Sequence, residues 1–279
     1  MHLIIQGKDI ETGDLKILAK LSGASAIEQI SATAFRLRDA QASHAPPEIT
    51  ALCERAQLDF AFVPHDRRLA DFKLLVMDMD STLITIETID ELADLVGLKP
   101  QVAKITEQAM RGEIEYNESL QRRVGLLKGL DDSALGRVYD ERLKLSPGAE
   151  ILLAAVKKHG IKTLLVSGGF THVTELLKPR LGLDYTYSNT LAVANGKLTG
   201  DIIGRIVNAD AKRDELLRVS TLLGIKREQI IGLGDGANDL KFMAECGVSV
   251  AYHAKPIVRG QTTHAVNFGG LDAVVNLFC

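Results

Sequence analysis

The chain has 279 residues, of which 46% are hydrophobic and 25% charged, and its formal net charge is -3. These are ordinary values for a globular protein of one large or two moderate domains. The small negative charge gives no electrostatic reason to expect nucleic-acid or membrane-surface partners, and no apolar run approaches the roughly 20 residues of a membrane span. The 3 cysteines and 7 histidines show no spacing typical of a disulfide framework or a zinc motif. Because the N-terminus has no leader-like pattern, we expect a cytoplasmic protein.

The first part of the chain, residues 1–70, predicts a small α+β domain. Apolar runs typical of strands alternate with two helical stretches in the order β-α-β-α-β. In chain order the segments are LIIQG, DLKILAKLSG, ATAFRLRD, the helix after Pro46-Pro47, and LDFAFVP. A second domain is expected at residues 71–279.

Three later segments share one pattern, which is an apolar run, a polar or glycine-rich turn, and then a helix. They are LLVMDMDST, IKTLLVSGGFTHVTELL and QIIGLGDGANDLKFMAECG. Short, uniformly apolar strands that alternate with helices are typical of a parallel sheet covered on both faces. Ligands bind such sheets at the carboxyl ends of the strands. The pattern therefore predicts an α/β core, formed by residues 71–87 and 146–279, whose polar turns meet at one edge.

A long helical stretch, about residues 88–145, separates the first of these strands from the second. Its apolar residues recur at helical spacing, and Pro100 stands where a second helix would begin. Inserted directly after a polar turn, this block would lie over the strand ends as a helical cap. We interpret Met110 and Tyr116 as packing residues of that cap.

Two local structures of the core are also predicted. The Asn195-Gly196 pair in LAVANGKLTG is typical of a two-residue hairpin turn. In SPGAEILLAAVKKHG, Ser146 is the expected N-cap of a helix that has Pro147 in its first turn and stops at Gly160.

The polar turns contain residues that together favour a functional site. Separately, each has an ordinary explanation, since Asp80-Ser81-Thr82 could be an Asx turn that opens a helix, SGG a common turn, and Lys212 a solvated lysine. GDGAND is more informative, because two acids and an amide around two glycines rarely serve a turn alone. All of them fall at the same sheet edge. The set comprises Asp78, Asp80, Ser167, Lys212, Asp235, Asn238 and Asp239.

The chemistry of these side chains indicates phosphoryl transfer. A carboxylate cluster without His or Cys suits a hard cation such as Mg²⁺, which would also keep a buried Asp78 ionised. A charge-compensated aspartate can attack phosphorus and form an aspartyl-phosphate. Ser167, the backbone N–H groups of the SGG turn and Lys212 would bind the phosphoryl oxygens. Asp80 would then protonate the leaving alkoxide.

Four motifs, DMDST, SGGF, NADAK and GDGANDL, resemble those of the haloacid dehalogenase (HAD) superfamily of phosphatases, whose first motif is DxDxT or DxDST. The resemblance runs from about residue 72 to the C-terminus. It extends to ETIDELA, AMRGEIEYNESLQRRVGLLKG and VSGGFTHV, which are similar to stretches of members that hydrolyse O-phosphoserine. It implies a HAD-like Rossmannoid parallel-sheet core with a helical cap. It also implies magnesium-dependent hydrolysis of O-phospho-L-serine to L-serine and phosphate through an aspartyl-phosphate, the final step of L-serine biosynthesis.

The same resemblance implies catalytic and metal-binding roles for the acidic residues. Asp78 would be the nucleophile and Asp80 the proton donor. Mg²⁺ would be held by Asp78, Asp235 and the backbone carbonyl of Asp80, with Asp239 supporting these ligands from behind. The first 70 residues lie outside the resemblance, and their layout resembles a small regulatory ACT-like domain.

Substrate binding is implied for six further residues. Glu87 would bind the ammonium group of the substrate and Arg123 its carboxylate. The phosphate would be bound by Ser167, Gly168, Lys212 and Asn238.

Two alternatives stay open at the level of the sequence. One is a HAD-type phosphatase or phosphotransferase that acts on another small phosphate ester. The other, from a different class, is a phospho-accepting signalling domain, which also places an aspartate beside Mg²⁺ and a lysine at a parallel-sheet edge. The predicted cap argues against the second, because a receiver domain needs none. The sequence does not fix the oligomeric state, and a homodimer is compatible with it.

Overall fold

Residues 1–42 and 46–278 are described by a computed structural model, and within them the chain forms a four-stranded and a seven-stranded sheet. Of the helices in these described ranges, none combines the length and the apolar character that crossing a bilayer requires. The predicted α/β class is confirmed.

The N-terminal unit has one strand more than the sequence predicts. Its sheet has the order β2-β3-β1-β4 with antiparallel pairs, the β-α-β-β-α-β arrangement of ferredoxin-like folds. The strand missed by the sequence analysis, AIEQIS, is short and largely exposed, so it lacks an apolar run. The elements are β1 (His2–Gln6), α1 (Thr12–Ser22), β2 (Ala26–Ser31), β3 (Ala34–Arg38), α2 (Pro47–Arg55) and β4 (Asp59–Val63).

The rest of the chain builds the large sheet, its helices and the cap. The sheet has the order β11-β10-β9-β5-β6-β7-β8, in which the β7–β8 pair is antiparallel and the other pairs are parallel. The elements are β5 (Leu74–Met77), the cap helices α3 (Thr88–Asp94), α4 (Lys99–Met110), α5 (Tyr116–Gly125) and α6 (Ser133–Glu141), then α7 (Ala149–Lys158), β6 (Lys162–Phe170), α8 (Thr171–Leu181), β7 (Tyr185–Ala194), β8 (Lys197–Ile203), α9 (Ala209–Leu223), β9 (Ile230–Gly234), α10 (Leu240–Met243), β10 (Val248–Tyr252), α11 (Pro256–Arg259) and β11 (His264–Val266).

The cap helices have an apolar core of their own, completed by the β7–β8 hairpin. Leu191 and Leu198 of the hairpin join the buried cluster formed by the helices. The hairpin turns at Asn195-Gly196, as predicted, with positive φ angles of 52° and 73° that a two-residue type I′ turn requires. The hairpin and the cap helices therefore share one apolar core.

The predicted start of helix α7 is wrong. The helix begins at Ala149, and its N-cap is Gly148 in the left-handed region with φ 76°. Ser146 and Pro147 instead connect to other segments, through Ser146 N–H to the Leu83 carbonyl and through the Pro147 carbonyl to Leu271 N–H. The predicted end holds, since the helix finishes at Lys158, two residues before Gly160.

The N-terminal sheet is covered on both faces. Leu3 and Ile5 of β1 pack with Leu18 and Ile49 on the face that carries α1 and α2. Ile4, between them, belongs to the large core cluster, together with Ala61, Val63, Leu271 and Val274. Alternate residues of one strand therefore join the unit to its own helices and to the large core.

Candidate active site

Three polar segments meet at the carboxyl ends of neighbouring strands. Met77, the last residue of β5, pairs with Leu165 of β6 on one side and with Leu233 of β9 on the other. The polar residues at these strand ends are Asp78, Ser167 and Asp235. The prediction of a turn at SGG is wrong, because these residues form the end of β6, where its pairing with β7 is interrupted between Val166 and Phe170. The register of the sheet thus brings together three polar segments that are far apart in the sequence.

Three carboxylates surround one buried lysine at this edge. One carboxylate oxygen from each of Asp78, Asp235 and Asp239 lies within 4.8 Å of the others. Lys212 Nζ lies 2.8 Å from Asp78 Oδ2 and 2.7 Å from Asp239 Oδ1, and its side chain is completely buried. Three carboxylates beside one ammonium group leave an excess of negative charge. The all-oxygen donor set fits a hard metal cation, so the cluster could bind one.

The pKa values show where additional positive charge is needed. Burial, followed by the Asp239 carboxylate, raises the pKa of Asp78 well above its usual range although Lys212 opposes the shift. The same two causes raise the pKa of Asp235 to about 7. Burial alone would lower the pKa of Lys212, but Asp239 and Asp78 outweigh it and raise this pKa. Lys212 therefore stays charged, and a cation would keep the two raised carboxyl groups ionised.

The turn after β5 is held by its own side chains. The Met79 N–H donates to Asp78 Oδ1 over 2.7 Å, and the Asp78 N–H donates to the Leu233 carbonyl over 3.0 Å. Thr82 Oγ1 donates to Asp235 Oδ1 over 2.9 Å. These bonds fix Asp78 against strand β9 and connect the two acidic turns.

Asp80 has different surroundings from Asp78. Thr88 Oγ1 donates to Asp80 Oδ1 over 2.7 Å. Ser81, whose φ is 57°, donates from Oγ to Glu87 Oε1 over 2.6 Å. Burial, followed by the charge of Glu87, raises the pKa of Asp80 to about 8. Asp80 therefore holds a proton at neutral pH in these surroundings.

The GDGAND loop after β9 folds over its own glycines. Gly236 N–H donates to Asp239 Oδ2 over 3.0 Å. A Cβ atom at Gly234 would lie 2.5 Å from Asp239 Oδ2, and one at Gly236 would collide with the side-chain amide of Asn238. The glycines are thus required for Asn238 and Asp239 to fold back onto the loop.

The SGG segment of β6 is held in place by Asn189, an asparagine that the sequence analysis missed. Gly169 N–H donates to the buried Ser167 Oγ over 2.8 Å. Asn189, buried in β7, donates from Nδ2 to the Gly168 carbonyl over 2.8 Å and accepts from Val207 N–H over 2.9 Å. A lone polar residue in a strand gives no signal in the sequence, so only the fold identifies this contact.

The cap contacts the SGG segment through Tyr116. A Cβ atom at Gly168 would collide with the Tyr116 hydroxyl, so the two groups are neighbours. The Tyr116 side chain also packs against the cap cluster, as predicted. The packing interpretation of Met110 is wrong, because this side chain is 63% exposed.

Arg123 lies on cap helix α5, apart from the carboxylate cluster. Its Nε donates to the Ser119 carbonyl of its own helix over 3.4 Å. Burial raises the pKa values of Glu87 and Asp90, and the charge of Arg123 opposes the rise at both. Arg123 is therefore electrostatically coupled to Glu87. The structure groups the other predicted residues at the strand ends: Asp78, Asp80, Glu87, Ser167, Gly168, Lys212, Asp235, Asn238 and Asp239.

Comparison with known families identifies the class. The family model of haloacid dehalogenase-like hydrolases matches residues 72–247. The structure is similar to the crystal structure of a HAD family hydrolase from Salmonella enterica subsp. enterica serovar Typhi, with a TM-score of 0.89 and 35% identity over 100% of this chain and 99% of that one. The chain therefore belongs to the haloacid dehalogenase-like hydrolases. A second family model, for a domain of unknown function (DUF4072), matches residues 3–46.

Within the family, the similarity is to phosphatases. The chain is 53% identical over 216 residues to a phosphoserine phosphatase from Albidiferax ferrireducens, which covers 76% of this chain and 91% of the relative. It is also similar to the solved phospho-aspartyl intermediate analogue of a phosphoserine phosphatase, with a TM-score of 0.70 and 36% identity over 75% of this chain and 99% of that one. The chain is thus an enzyme, a phosphatase of the HAD family.

Proposed function

We propose that this phosphatase hydrolyses O-phospho-L-serine to L-serine and phosphate, the final step of L-serine biosynthesis. The observation that carries the proposal is the placement of Glu87 beside the catalytic turn, within the electrostatic influence of Arg123 on the cap. The Glu87 carboxylate would pair with the ammonium group of the substrate, and the Arg123 guanidinium with its carboxylate. The names of the similar phosphatases support the same substrate.

In this proposal Asp78 is the nucleophile. One of its oxygens accepts from Met79 N–H and the other from Lys212, which fixes the plane of the carboxylate. An Asp78 oxygen attacks phosphorus, the bond to the serine oxygen breaks, and an aspartyl-phosphate forms. Lys212, Ser167 and the N–H groups of the SGG segment bind the phosphoryl oxygens, whose charge they stabilise.

Asp80 is proposed as the general acid and base. A pKa of about 8 keeps it protonated at neutral pH, so it can give its proton to the departing serine oxygen. The resulting carboxylate then takes a proton from the water that attacks phosphorus. The bond between phosphorus and the Asp78 oxygen breaks, which releases phosphate and restores the Asp78 carboxylate. The two aspartates thus divide attack and proton transfer between them.

We infer that the metal is Mg²⁺, held by Asp78, Asp235 and the backbone carbonyl of Asp80. Asp239 lies in the same cluster, but it is fully buried and salt-bridged to Lys212, which favours a supporting role. When bound, Mg²⁺ would supply positive charge to the phosphate oxygens and to the carboxylates of the cluster. EDTA should therefore abolish activity and Mg²⁺ restore it, and full activity in metal-free buffer would contradict the assignment.

The substrate is tested by separating recognition from chemistry. We expect Glu87→Ala and Arg123→Ala to lower kcat/KM for O-phosphoserine about 30-fold or more, because a desolvated charge loses its partner. Hydrolysis of p-nitrophenyl phosphate, which has no amino-acid moiety, should change much less. Arg123→Lys should not restore selectivity, since a lysine lacks the bidentate fork.

Arg122 provides a matched control on the same helix. Its guanidinium is 2.6 Å from the Glu118 carboxylate and its side chain is 50% exposed, so Arg122→Ala should leave both activities unchanged. Equal losses on both substrates for the Glu87 and Arg123 variants would show that these residues serve folding or chemistry. In that case another small phosphate ester would be the substrate.

The remaining predictions from the sequence stay proposals. We propose two domains, residues 1–70 and 71–279, a cytoplasmic location and no nucleic-acid partner. Gel filtration of the full chain would test whether it forms the homodimer that the sequence allows.

A further inference from the structure

A second cluster of possible metal ligands lies on the N-terminal unit, away from the active site. His2 begins β1, Asp39 follows β3, and His65 is two residues beyond β4. The register pairs His2 with Val63 and Leu3 with Leu37, so these three strand ends lie at one edge of the sheet. The fold thus collects two imidazoles and a carboxylate from distant parts of the chain, which no search for short motifs would detect.

The three side chains are close enough to share an ion. One ligand atom from each lies within 4.8 Å of the others. The two imidazole rings have centroids 4.3 Å apart and are inclined by 73°. His65 Nδ1 lies 3.5 Å from Asp39 Oδ1. These distances are short enough for one ion to bind all three side chains.

Neighbouring groups hold the cluster in place. Ser25 Oγ donates to Asp39 Oδ2 over 2.8 Å, and the Asp39 N–H donates to His2 Nδ1 over 3.4 Å. The Met1 amino group lies 2.6 Å from His65 Nε2. His2 is buried, whereas the side chains of His65 and Asp39 are 49% and 58% exposed. Because these contacts involve His2 Nδ1 and His65 Nε2, an ion would bind the other nitrogen of each ring, and the site is open to solvent on the side of His65 and Asp39.

We propose that His2, Asp39 and His65 form a second metal site, selective for a divalent transition metal such as Zn²⁺. Imidazole nitrogen is a preferred ligand of zinc, cobalt and nickel, whereas Mg²⁺ and Ca²⁺ favour oxygen. The carboxylate supplies negative charge, and water can complete the coordination on the exposed side. The protein would therefore carry two chemically distinct sites, of oxygen donors in the core and of nitrogen and oxygen donors on the N-terminal unit. The proposal is independent of the substrate proposed above.

The test is calorimetric titration of the full-length, tag-free protein with Zn²⁺ in saturating Mg²⁺, which occupies the carboxylate cluster. We expect one Zn²⁺ per chain, and a loss of affinity of at least about 10-fold in His65→Gln and in His2→Gln. His159→Gln, at an exposed histidine outside the cluster, should bind like the wild type. Asp235→Asn, which alters the active site, should also retain the binding.

Two results would overturn the proposal. One is unchanged Zn²⁺ affinity in both His65→Gln and His2→Gln. The other is loss of the binding in Asp235→Asn, which would assign it to the active-site carboxylates. Hydrolysis of p-nitrophenyl phosphate in Mg²⁺ should be the same for His65→Gln as for the wild type, which separates metal loss from misfolding. Asp39→Asn provides a further variant, with the same expected loss.

Discussion

Asp78 and Asp80 stand two positions apart, and their neighbours give them different chemistry. Lys212 at 2.8 Å and a backbone N–H at 2.7 Å favour the charged form of Asp78, but burial and the Asp239 carboxylate still raise its pKa, so its ionisation needs a further positive charge in the cluster. Burial, followed by the charge of Glu87, raises the pKa of Asp80 to about 8, although the hydrogen bond from the Thr88 hydroxyl opposes the rise. In the proposed mechanism, a cation bound by the carboxylate cluster would keep Asp78 ionised for attack, whereas Asp80, outside that cluster, would hold the proton.

We expect Asp78→Asn and Asp80→Asn to lose activity in different ways. Asp78→Asn removes the nucleophile and should abolish turnover and the trapped aspartyl-phosphate on every substrate. Asp80→Asn should lower kcat for O-phosphoserine by about 10²–10⁴-fold, since the alkoxide leaves without a proton. Its effect on the first release of p-nitrophenolate should be smaller, because that phenolate leaves readily. Later turnovers should stay slow, because hydrolysis of the aspartyl-phosphate also uses Asp80 as the base. Steady-state kinetics and mass spectrometry of the quenched enzyme measure both effects, and turnover by Asp78→Asn near the wild-type rate would contradict the nucleophile assignment.

Individual residues also show what the sequence could not predict about the site. Asp78, Lys212 and Asp235 could be predicted because their types and turns carry a chemical meaning. Asn189 could not, since it acts through backbone groups of two segments that meet only in the folded chain. Neither could the role of Thr88, a common residue whose partner depends on the path of the turn.

Secondary-structure elements were predictable where their signal is local. Strands β5, β6 and β9 have continuous apolar runs, and the β7–β8 turn has its own two-residue signature. Strand β2 has neither, because its stability comes from pairing with β3. The start of α7 depends on Gly148 adopting a left-handed conformation next to Asp272, a contact that local sequence does not contain.

Helix α9 positions Lys212, and Asn208 is the N-cap of that helix. Its Oδ1 accepts from Ala211 N–H over 3.0 Å, and its Nδ2 donates to Asn117 Oδ1 of cap helix α5 over 3.0 Å. We expect Asn208→Ala to lower the free energy of unfolding by about 1 kcal/mol, the usual effect of losing an N-cap. Asn208→Asp keeps the capping oxygen and should remain close to wild type. Urea denaturation measures both variants, and equal losses would show that the contact with Asn117 matters more than the cap.

A buried carboxylate, Asp59, joins the N-terminal unit to the large domain. Asp59, which is 1% exposed, accepts from the N–H groups of Asn267, Phe268 and Gly269 at 2.6, 3.1 and 2.8 Å. A charged group that satisfies three backbone donors across this contact is a structural anchor.

We expect Asp59→Ala to lower the free energy of unfolding by about 2–5 kcal/mol, since three buried donors lose their acceptor. Asp59→Asn, which keeps one oxygen, should lose less, and the exposed Asp66→Ala should change little. A shortened chain that starts near residue 70 would uncover Leu271 and Val274, so we expect it to aggregate while keeping its catalytic residues. If urea denaturation gave Asp59→Ala the same free energy of unfolding as the wild type, Asp59 would not stabilise the contact between the two parts of the chain.

The same contact contains a histidine whose charge state affects stability. Arg67 Nη1 donates to His264 Nε2 over 2.7 Å, and burial followed by the charge of Arg67 lowers the pKa of His264 to about 4. In the unfolded chain this pKa returns to near 6.5, so the unfolded state binds more protons between pH 6.5 and 4. The contribution of His264 therefore leaves the free energy of unfolding at its highest above pH 6.5, and this free energy decreases as the pH falls towards 4.

Between pH 7 and pH 5 we expect His264 to account for a loss of about 2 kcal/mol in the free energy of unfolding. His264→Gln keeps an acceptor for Arg67 but cannot take up a proton, so its stability should depend less on pH by that amount. Denaturation curves of both proteins at pH 7 and pH 5 give the difference. Identical pH dependence would exclude His264 as the source.

Gln6 and Asn276 are joined by a hydrogen bond of 2.9 Å across a separation of 270 residues. During synthesis at about 5–20 residues per second, strand β1 therefore waits on the order of 15–50 s before the segment that covers its inner face leaves the ribosome. In that interval Ile4, Ala61 and Val63 present an uncovered apolar surface. The N-terminal unit is thus made long before the segment that covers it, so the folding of its inner face depends on the synthesis of the far end of the large domain.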